Sequence, residues 1–181
     1  IESLRTRSDS ATLVRISDIP EMRLPRSKTN NILYFGRFDK VKNVQEIIDI
    51  CADVRKQINE LKLILVGSGD EKFTNAEGVE IISDWKSQTE LREIMQGCSF
   101  VVNATNSEGF SLQIMEGLSN GLFPLVKAKG LIRNYNLPRE CVLNIENVIN
   151  AVEMGELDWN QFVTNFQNSL LTNLQDAVHL K

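Results

Sequence analysis

The sequence predicts an α/β protein with a doubly wound parallel sheet. Short apolar runs of the kind that form buried strands alternate along the chain with segments whose apolar residues recur at helical spacing. Strands that alternate with helices pair in parallel, and right-handed crossovers then place helices on both faces of the sheet. Ligands of such folds bind beyond the carboxyl ends of the strands, so the loops at those ends are the candidate sites.

The predicted domain covers most of the chain. The 181 residues fit one domain, and a hydrophobic content of 42% is ordinary for a globular protein. Residues 1–30 are polar and contain Pro20 and Pro25, so we expect a linker or an incomplete element there. Residues 31–181 form the domain and end in helices. The chain starts with Ile1 rather than Met, which suggests a fragment of a longer protein.

Five apolar runs predict the strands of the sheet. They are Ile32–Phe35, Leu63–Val66, Val79–Ile82, Phe100–Val102 and Phe123–Val126. Cys141–Leu143 is a candidate sixth strand. Pro124 has no N–H group for a ladder, so we expect it at a strand start or at an unpaired position.

Capping residues and apolar spacing predict the first two helices. Asn43 and Glu46 have the spacing of a capping box. The apolar face of the helix that follows comprises Val44, Ile47, Ile48, Cys51, Val54 and Ile58. Ser87 and Glu90 form a second capping box. The helix that follows carries Leu91, Ile94 and Met95.

Two further helices follow the same rules. One starts at Ser111 and carries Leu112, Met115 and Leu118. The other is long, and we expect Asp158 and Gln161 to cap it. Its apolar face comprises Trp159, Phe162, Val163, Phe166, Leu170 and Leu174.

Composition argues against several classes of protein. A net charge of −4 and a pI near 5.2 argue against a nucleic-acid partner. The single histidine, His179, cannot build a zinc site or a Ser-His-Asp triad, so we expect no metal. Three widely spaced cysteines indicate reduced thiols and a cytoplasmic protein. No signal peptide is visible, and we expect no membrane span because no apolar run approaches the ~20 residues that one needs.

Two glycine-containing loops could approach a phosphorylated ligand. In the loop Gly36–Lys42, Arg37 and Lys42 could close on a diphosphate from two sides, although a solvated basic loop explains them equally well. Gly67, after the second strand, could let a nucleotide approach the backbone, although a plain turn is the commoner reason for a glycine there. This loop is not a dinucleotide-binding fingerprint, because the third glycine and the following helix pattern are absent.

The loop after the fourth strand carries the most chemistry. Gly109 permits a tight turn, and the amides of Phe110, Ser111 and Leu112 would open a helix whose N-terminus attracts phosphate. Glu108 precedes that terminus and Glu116 lies within the helix, so one carboxylate could face a phosphate-linked sugar and the other a ribose diol. Ordinary solvent-facing acids would show the same spacing.

These loops together resemble those of glycosyltransferase family 4 and related GT-B enzymes. Glu108-Gly109-Phe110-Ser111-Leu112 with Glu116 matches the family's E-x7-E signature. Gly36-Arg37 with Lys42 matches its G-R-x4-K segment, and Leu65–Gly69 resembles its I-V-G-x-G segment. Asn120–Leu125 resembles its N-G-C-I-P-I stretch, which accounts for the proline. Four motifs in the family's order, over about residues 31–126, are a specific signal.

The resemblance implies a role for each motif. Arg37 and Lys42 would bind the donor diphosphate with the Phe110–Leu112 amides, and Glu116 would bind the ribose. Glu108 would be the catalytic carboxylate near the transferred sugar. The segment 83–86 would hold the base. Enzymes of this kind retain anomeric configuration and need no metal or other cofactor, because cations neutralise the leaving diphosphate.

The implied protein is one Rossmann-like half of a GT-B glycosyltransferase, the half that binds a UDP-, GDP- or ADP-linked sugar. We expect a hexosyltransferase-like enzyme of polysaccharide or glycoconjugate synthesis, inactive without its N-terminal Rossmann-like domain. Any peripheral contact with the inner face of the membrane would be made through that missing domain. A sugar-nucleotide epimerase and a non-catalytic partner subunit on the same fold are the alternatives.

Three positions depart from the family pattern. Asn43 replaces the glycine that usually follows the lysine, and Gly117 replaces a usual alanine. After the fifth strand, the family's Gly-Gly turn and further Glu are replaced by the segment 127–133, Lys-Ala-Lys-Gly-Leu-Ile-Arg. That part of the predicted donor site therefore has no counterpart in the family pattern.

Overall fold

The computed structural model describes residues 27–84 and 86–179, with residues 169–179 described by their backbone alone. Five strands form one parallel sheet: β1 (Asn31–Phe35), β2 (Lys62–Val66), β3 (Val79–Ile82), β4 (Phe100–Asn103) and β5 (Phe123–Val126). Six helices connect or follow them: α1 (Val44–Arg55), α2 (Gln88–Gln96), α3 (Leu112–Ser119), α4 (Lys129–Asn134), α5 (Ile145–Glu153) and α6 (Glu156–His179). The predicted linker lies outside the described residues for positions 1–26.

The sheet confirms the predicted fold class. Its strand order is β3-β2-β1-β4-β5, and every neighbouring pair is parallel. The chain winds outward from β1 to β3, crosses back to β4 and winds outward again to β5. Such an order is doubly wound, and its point of reversal lies between β1 and β4. Helix α5 packs against α1, whereas α6 packs against α3.

Strands β1, β4 and β5 are largely buried on both sides, which explains their apolar runs, whereas the edge strand β3 exposes Glu80. All four residues of β4 and of β5 are buried. Trp159 of α6 is the largest fully buried side chain among the described residues, and Phe162 stacks on Phe123 of β5 with ring centroids 4.5 Å apart. Among the described residues, no helix is both long and apolar enough to span a bilayer.

Pro124 occupies the position that the sequence requires. It lies in the edge strand β5, opposite Val101 of β4. The N–H groups of Phe123 and Lys127 donate to Ser99 and Asn103 on the β4 side. The nitrogen of Pro124 alternates with these and faces away from β4, so the sheet loses no hydrogen bond there.

Two of the predicted caps are wrong and one is confirmed. Ser87 and Glu90 form the capping box of α2, with the Ser87 N–H donating to Glu90 Oε2 over 2.8 Å. Asn43 adopts a left-handed conformation (φ 50°), and its side chain makes no cap on α1. The Asn43 amide instead donates to the Ala104 carbonyl over 3.1 Å, because the loop after β4 lies beside it.

The other wrong cap is at the start of α6. The helix begins at Glu156, and the Trp159 N–H donates to the Gly155 carbonyl. Asp158 therefore lies inside the first turn, three residues beyond the capping position at Gly155. The predicted face of α6 is buried at Trp159, Val163 and Phe166, whereas the side chains of Leu170 and Leu174 lie outside the described residues.

Three other sequence predictions need correction. Cys141–Leu143 is not a strand: Arg139–Cys141 is a 3₁₀ turn, and only Val142 bridges to β5. Leu112 does not belong to the packed face of α3, since it is 66% exposed. Ile58 packs against the core from beyond the end of α1.

Candidate functional site

A cavity opens at the point where the strand order reverses. Its volume is about 450 Å³, and we call it the switch-point cavity. It is lined by Tyr34, Phe35, Gly36, Lys42, Glu108, Phe110, Ser111, Leu112, Gln113 and Glu116. The end of β1 thus forms one wall and the β4–α3 loop with the start of α3 forms another. This is the place where doubly wound sheets bind ligands.

Glu108 is held from two sides in this cavity. Its Oε1 lies 3.4 Å from Lys42 Nζ, and the two side chains are 20% and 24% exposed respectively. Its Oε2 accepts a hydrogen bond from Asn103 Nδ2 over 3.0 Å. These two contacts hold the Glu108 carboxyl in place, and Lys42 brings a cationic side chain to the same cavity.

Asn103 is the centre of a buried polar network that the sequence analysis missed. Its Nδ2 lies within hydrogen-bond distance of Glu108, Ser111 Oγ and Gln113 Oε1, and its Oδ1 accepts from the Thr105 N–H. Asn103 is 1% exposed. A polar residue at the end of an apolar strand, followed by a loop, was the only signal that could have identified it.

The start of α3 offers hydrogen-bond donors to the cavity. Ser111 is the N-cap and accepts from the Ile114 N–H, while its own N–H donates to the Tyr135 hydroxyl. Within the described part of the chain, the N–H groups of Leu112 and Gln113 have no acceptor. The Phe110 N–H also has no acceptor among the described residues, so Tyr135 engages only the Ser111 amide of the predicted Phe110–Leu112 set.

Tyr135 fixes the loop that precedes this helix. Its hydroxyl accepts from the Ser111 N–H over 3.3 Å and donates to the Ser111 carbonyl over 3.1 Å. Its ring stacks on Phe110, with centroids 5.7 Å apart. Burial raises the pKa of the Tyr135 phenol to about 12, so the hydroxyl keeps the proton that it donates. No sequence motif pointed to Tyr135.

Glu116, in α3, lines the same cavity as Glu108. It is partly buried, and this burial raises the pKa of its carboxyl above the ordinary 4.5, while the charge of Arg92 acts in the opposite direction. A partly buried carboxyl without a salt bridge among the described residues is ready to accept hydrogen bonds from a ligand.

Arg37 and the predicted base segment do not line the cavity. The Arg37 side chain is 71% exposed and lies 3.4 Å from Asp39. Ser83 and Asp84 are exposed at the end of the outer strand β3, and Trp85 lies outside the described residues. Lys42, Glu108 and Glu116 thus line one cavity, whereas Arg37, Ser83 and Asp84 are not among its lining residues.

Gly67 shapes the site from behind rather than lining it. It has φ 145°, and a Cβ atom there would overlap the carbonyl oxygen of Gly36. The loop after β2 thus packs on the loop after β1, and only glycine permits that approach. The Phe38 N–H donates to the Ser68 carbonyl and locks the two loops together.

A second cavity of about 510 Å³ adjoins the first, and Glu108 belongs to both. We call it the basic cavity. Its lining comprises Asn106, Ser107, Glu108, Gly109, Lys127, Lys129, Gly130 and Arg133. It contains the predicted site residue Gly109 and the segment that departs from the family pattern. Lys127 is paired there with Glu46, its Nζ lying 2.6 Å from Oε2.

Comparison with known proteins identifies relatives of this chain. A family model described as glycosyl transferases group 1 matches residues 16–154. The uncharacterized glycosyltransferase YqgM of Bacillus subtilis is 23% identical over 122 residues, which are 62% of this chain and 34% of the relative. A GDP-mannose:cellobiosyl-diphosphopolyprenol alpha-mannosyltransferase of Xanthomonas oryzae pv. oryzae is 30% identical over 105 residues, 52% of this chain and 28% of the relative.

Solved structures share the fold. The crystal structure of a GtfA/B complex superimposes on 90% of this chain and 37% of its own, with a TM-score of 0.70 and 16% identity. The likeness supports the doubly wound sheet as one half of a GT-B architecture. The chain spans about a third of the length of these proteins, or somewhat less in the mannosyltransferase.

Proposed function

The chain belongs to the glycosyl transferases group 1 family, and we propose that it is the donor-binding domain of a retaining, metal-independent glycosyltransferase. The enzyme would move a sugar from a nucleoside diphosphate to an acceptor, in polysaccharide or glycoconjugate synthesis. The observation that carries this proposal is the convergence of Lys42, Glu108, Glu116 and the start of α3 on the switch-point cavity.

The groups in this cavity suit a nucleoside diphosphate. Lys42 and the unoccupied N–H groups of Leu112 and Gln113 would bind the diphosphate, because a cation and a helix N-terminus both attract phosphate. Arg37 would join them by leaving its exposed contact with Asp39, which stabilises the fold little. Together these charges would stabilise the departing diphosphate in the role that a metal ion plays elsewhere.

The carboxylates of Glu108 and Glu116 would contact different parts of the donor. Glu116 would accept hydrogen bonds from the ribose hydroxyls. Glu108 would face the transferred sugar, where its charge stabilises the positive charge that develops at the anomeric carbon. Asn103 keeps the Glu108 carboxylate in place through its hydrogen bond to Oε2.

The complete enzyme would need more than this chain. In our proposal a second Rossmann-like domain supplies the acceptor site and closes over the donor, and the chain alone does not turn over. The relatives, about three times as long as the matched segment, support this. We further propose a cytoplasmic enzyme whose second domain contacts the inner face of the membrane.

Nucleotide titration tests the proposal. The ¹⁵N-labelled chain would be titrated with UDP, GDP and ADP at millimolar concentration and followed by NMR. We expect one of them to shift the amide signals of Leu112, Gln113 and residues around Lys42. Lys42→Ala should weaken this binding about tenfold, since a charge-assisted contact to phosphate is lost. Lys62→Ala, an exposed lysine at the opposite end of the sheet, is the matched control.

Two outcomes would overturn the proposal. One is the absence of any shift with all three nucleotides. The other is a set of shifts confined to the amino ends of the strands, far from the switch-point cavity.

A further inference from the structure

We propose that the donor sugar carries a carboxylate, so that the donor is a nucleoside diphosphate uronate, and that Lys129 and Arg133 of the basic cavity bind this carboxylate. This inference rests on the proposed function, because it takes the diphosphate to lie in the switch-point cavity. It assigns a ligand to the segment 127–133, which departs from the family pattern.

The position of Glu108 places the sugar. The residue lines both cavities, so it lies at the boundary between them. A sugar is bonded directly to the diphosphate. If the diphosphate lies beside Lys42 in the switch-point cavity, the sugar ring bonded to it lies next to Glu108. The basic cavity adjoins Glu108 on the side away from Lys42 and can hold the rest of the sugar. A volume of about 510 Å³ is ample for one hexose.

The charges of the basic cavity do not balance. Lys127 is neutralised by Glu46, with Nζ–Oε distances of 2.6 and 2.8 Å, and Glu108 is neutralised by Lys42. Among the described residues, no carboxylate pairs with Lys129 or Arg133. Two positive charges therefore remain in a protein whose net charge is −4. A bound anion is what these two charges favour.

Lys129 and Arg133 have exposed side chains, and the helix that carries them packs against the Glu108 segment. Lys129 and Arg133 are four residues apart in α4, so they lie on the same face of that helix. At Gly130 the helix approaches so closely that a Cβ atom would lie 2.5 Å from the Glu108 carbonyl oxygen. Asn134 donates to the Gly109 carbonyl over 2.7 Å at the other end. The helix is thus anchored to the segment that carries the catalytic carboxylate.

Arginine and lysine in this arrangement suit a carboxylate. The guanidinium of Arg133 can make two parallel hydrogen bonds to it, and Lys129 adds a point charge. A neutral hydroxymethyl group at the same position would gain no charge-assisted hydrogen bond. The cavity therefore discriminates in favour of the uronate.

Matched pairs of donors test the inference. The two members of each pair differ only at C6, where one has a carboxylate and the other a hydroxymethyl group. The pairs are UDP-glucuronate with UDP-glucose, UDP-galacturonate with UDP-galactose, GDP-mannuronate with GDP-mannose, and ADP-glucuronate with ADP-glucose. Calorimetry or NMR on the 181-residue chain would give the Kd of each, with UDP, GDP and ADP measured alone. For the base that binds, we expect one uronate to bind about tenfold more tightly than its neutral partner.

Variants assign that preference to the two cations. Lys129→Ala with Arg133→Ala should abolish the preference and leave the Kd of the nucleotide alone unchanged. Lys129→Arg with Arg133→Lys, which keeps both charges, should retain most of it. Lys62→Ala with Arg139→Ala removes two exposed cations elsewhere and should change nothing.

The outcomes separate this inference from the proposed function. If a nucleotide binds but no uronate exceeds its neutral partner, the inference is wrong and the function stands. The inference is also wrong if the preference for the uronate survives in the Lys129→Ala, Arg133→Ala variant. Binding of an anionic acceptor would then be the remaining role for the two cations. If no nucleotide binds, the proposed function fails and the inference fails with it.

Discussion

Asn103 shows how much of the candidate site depends on one buried amide. Its two N–H bonds face three acceptors, on Glu108, Ser111 and Gln113, while its oxygen serves the Thr105 N–H. Removing this side chain leaves several buried polar atoms without a partner, and each such loss is expensive in a low-dielectric interior. Asn103 thus joins the strand end, the loop and the helix start that together form the cavity wall.

We predict that Asn103→Ala lowers the free energy of unfolding by about 1–3 kcal/mol, because Gln113 and the Thr105 N–H lose their partners. Urea unfolding monitored by circular dichroism measures the change. Asn165→Ala is the control: that amide makes one exposed contact with Gln161, and its loss should cost at most about 0.5 kcal/mol. Equal stability of Asn103→Ala and the unmodified chain would show that water replaces the network without cost.

At the same scale, the sequence located the charged groups but not their supports. Lys42, Glu108 and Glu116 were predictable because a motif fixes their spacing, and the doubly wound order then brings them to one crevice. Asn103 and Tyr135 were not, because their hydrogen bonds depend on how the β4–α3 loop lies against α4. The exposed orientation of Arg37 towards Asp39 was equally beyond a sequence argument.

Helices and strands were likewise predictable where local sequence determines them and not where tertiary contacts do. The five predicted runs are apolar apart from Glu80 of β3, which is exposed, so all five strands were predictable from the sequence alone. Helix α4 was missed because it has six residues, contains Gly130 and shows no apolar period. Asn43 failed as a cap because its amide bonds the Ala104 carbonyl, and no local pattern reports that neighbour.

The contact between α4 and the Glu108 loop leads to a prediction about Gly130. Alanine normally favours a helix over glycine by about 1 kcal/mol, so Gly130→Ala would stabilise an isolated α4. Because its Cβ atom would lie 2.5 Å from the Glu108 carbonyl oxygen, we instead expect a loss of about 1–3 kcal/mol in the free energy of unfolding. Urea denaturation would measure it, and amide shifts of Glu108 and Gly109 would locate it.

Gly97→Ala is the matched control for this substitution. Gly97 ends α2, and its added Cβ atom would meet nothing closer than the Ile94 carbonyl oxygen at 3.5 Å, an ordinary contact. We expect a change within about 0.5 kcal/mol. If Gly130→Ala proved as harmless as Gly97→Ala, α4 would be free to move away from Glu108, and the basic cavity would not have a fixed shape.

At the scale of the whole molecule, a single core connects all the elements of the sheet and its helices. The buried apolar residues form one cluster that reaches from Ile32 to Phe166. It includes three free thiols in separate places: Cys51 in α1, Cys98 before β4 and Cys141 in the 3₁₀ turn after α4. A protein of this size with one core is expected to unfold as one cooperative unit.

The three thiols make this cooperativity measurable. Burial raises the pKa of the Cys51 and Cys98 thiols to about 12, and it raises that of Cys141 further. At pH 8 each therefore lacks both access and thiolate character, so we predict no reaction with a disulfide reagent in the native state. In urea all three thiols should become reactive with one midpoint, the same as the midpoint of unfolding measured by circular dichroism.

Lys62→Cys, which places an exposed thiol in β2, should react at once and so controls for the reagent. Earlier labelling of Cys141 would contradict the prediction, because it would show that the region around α4 opens separately from the sheet, and the wall of the basic cavity would then be a mobile one.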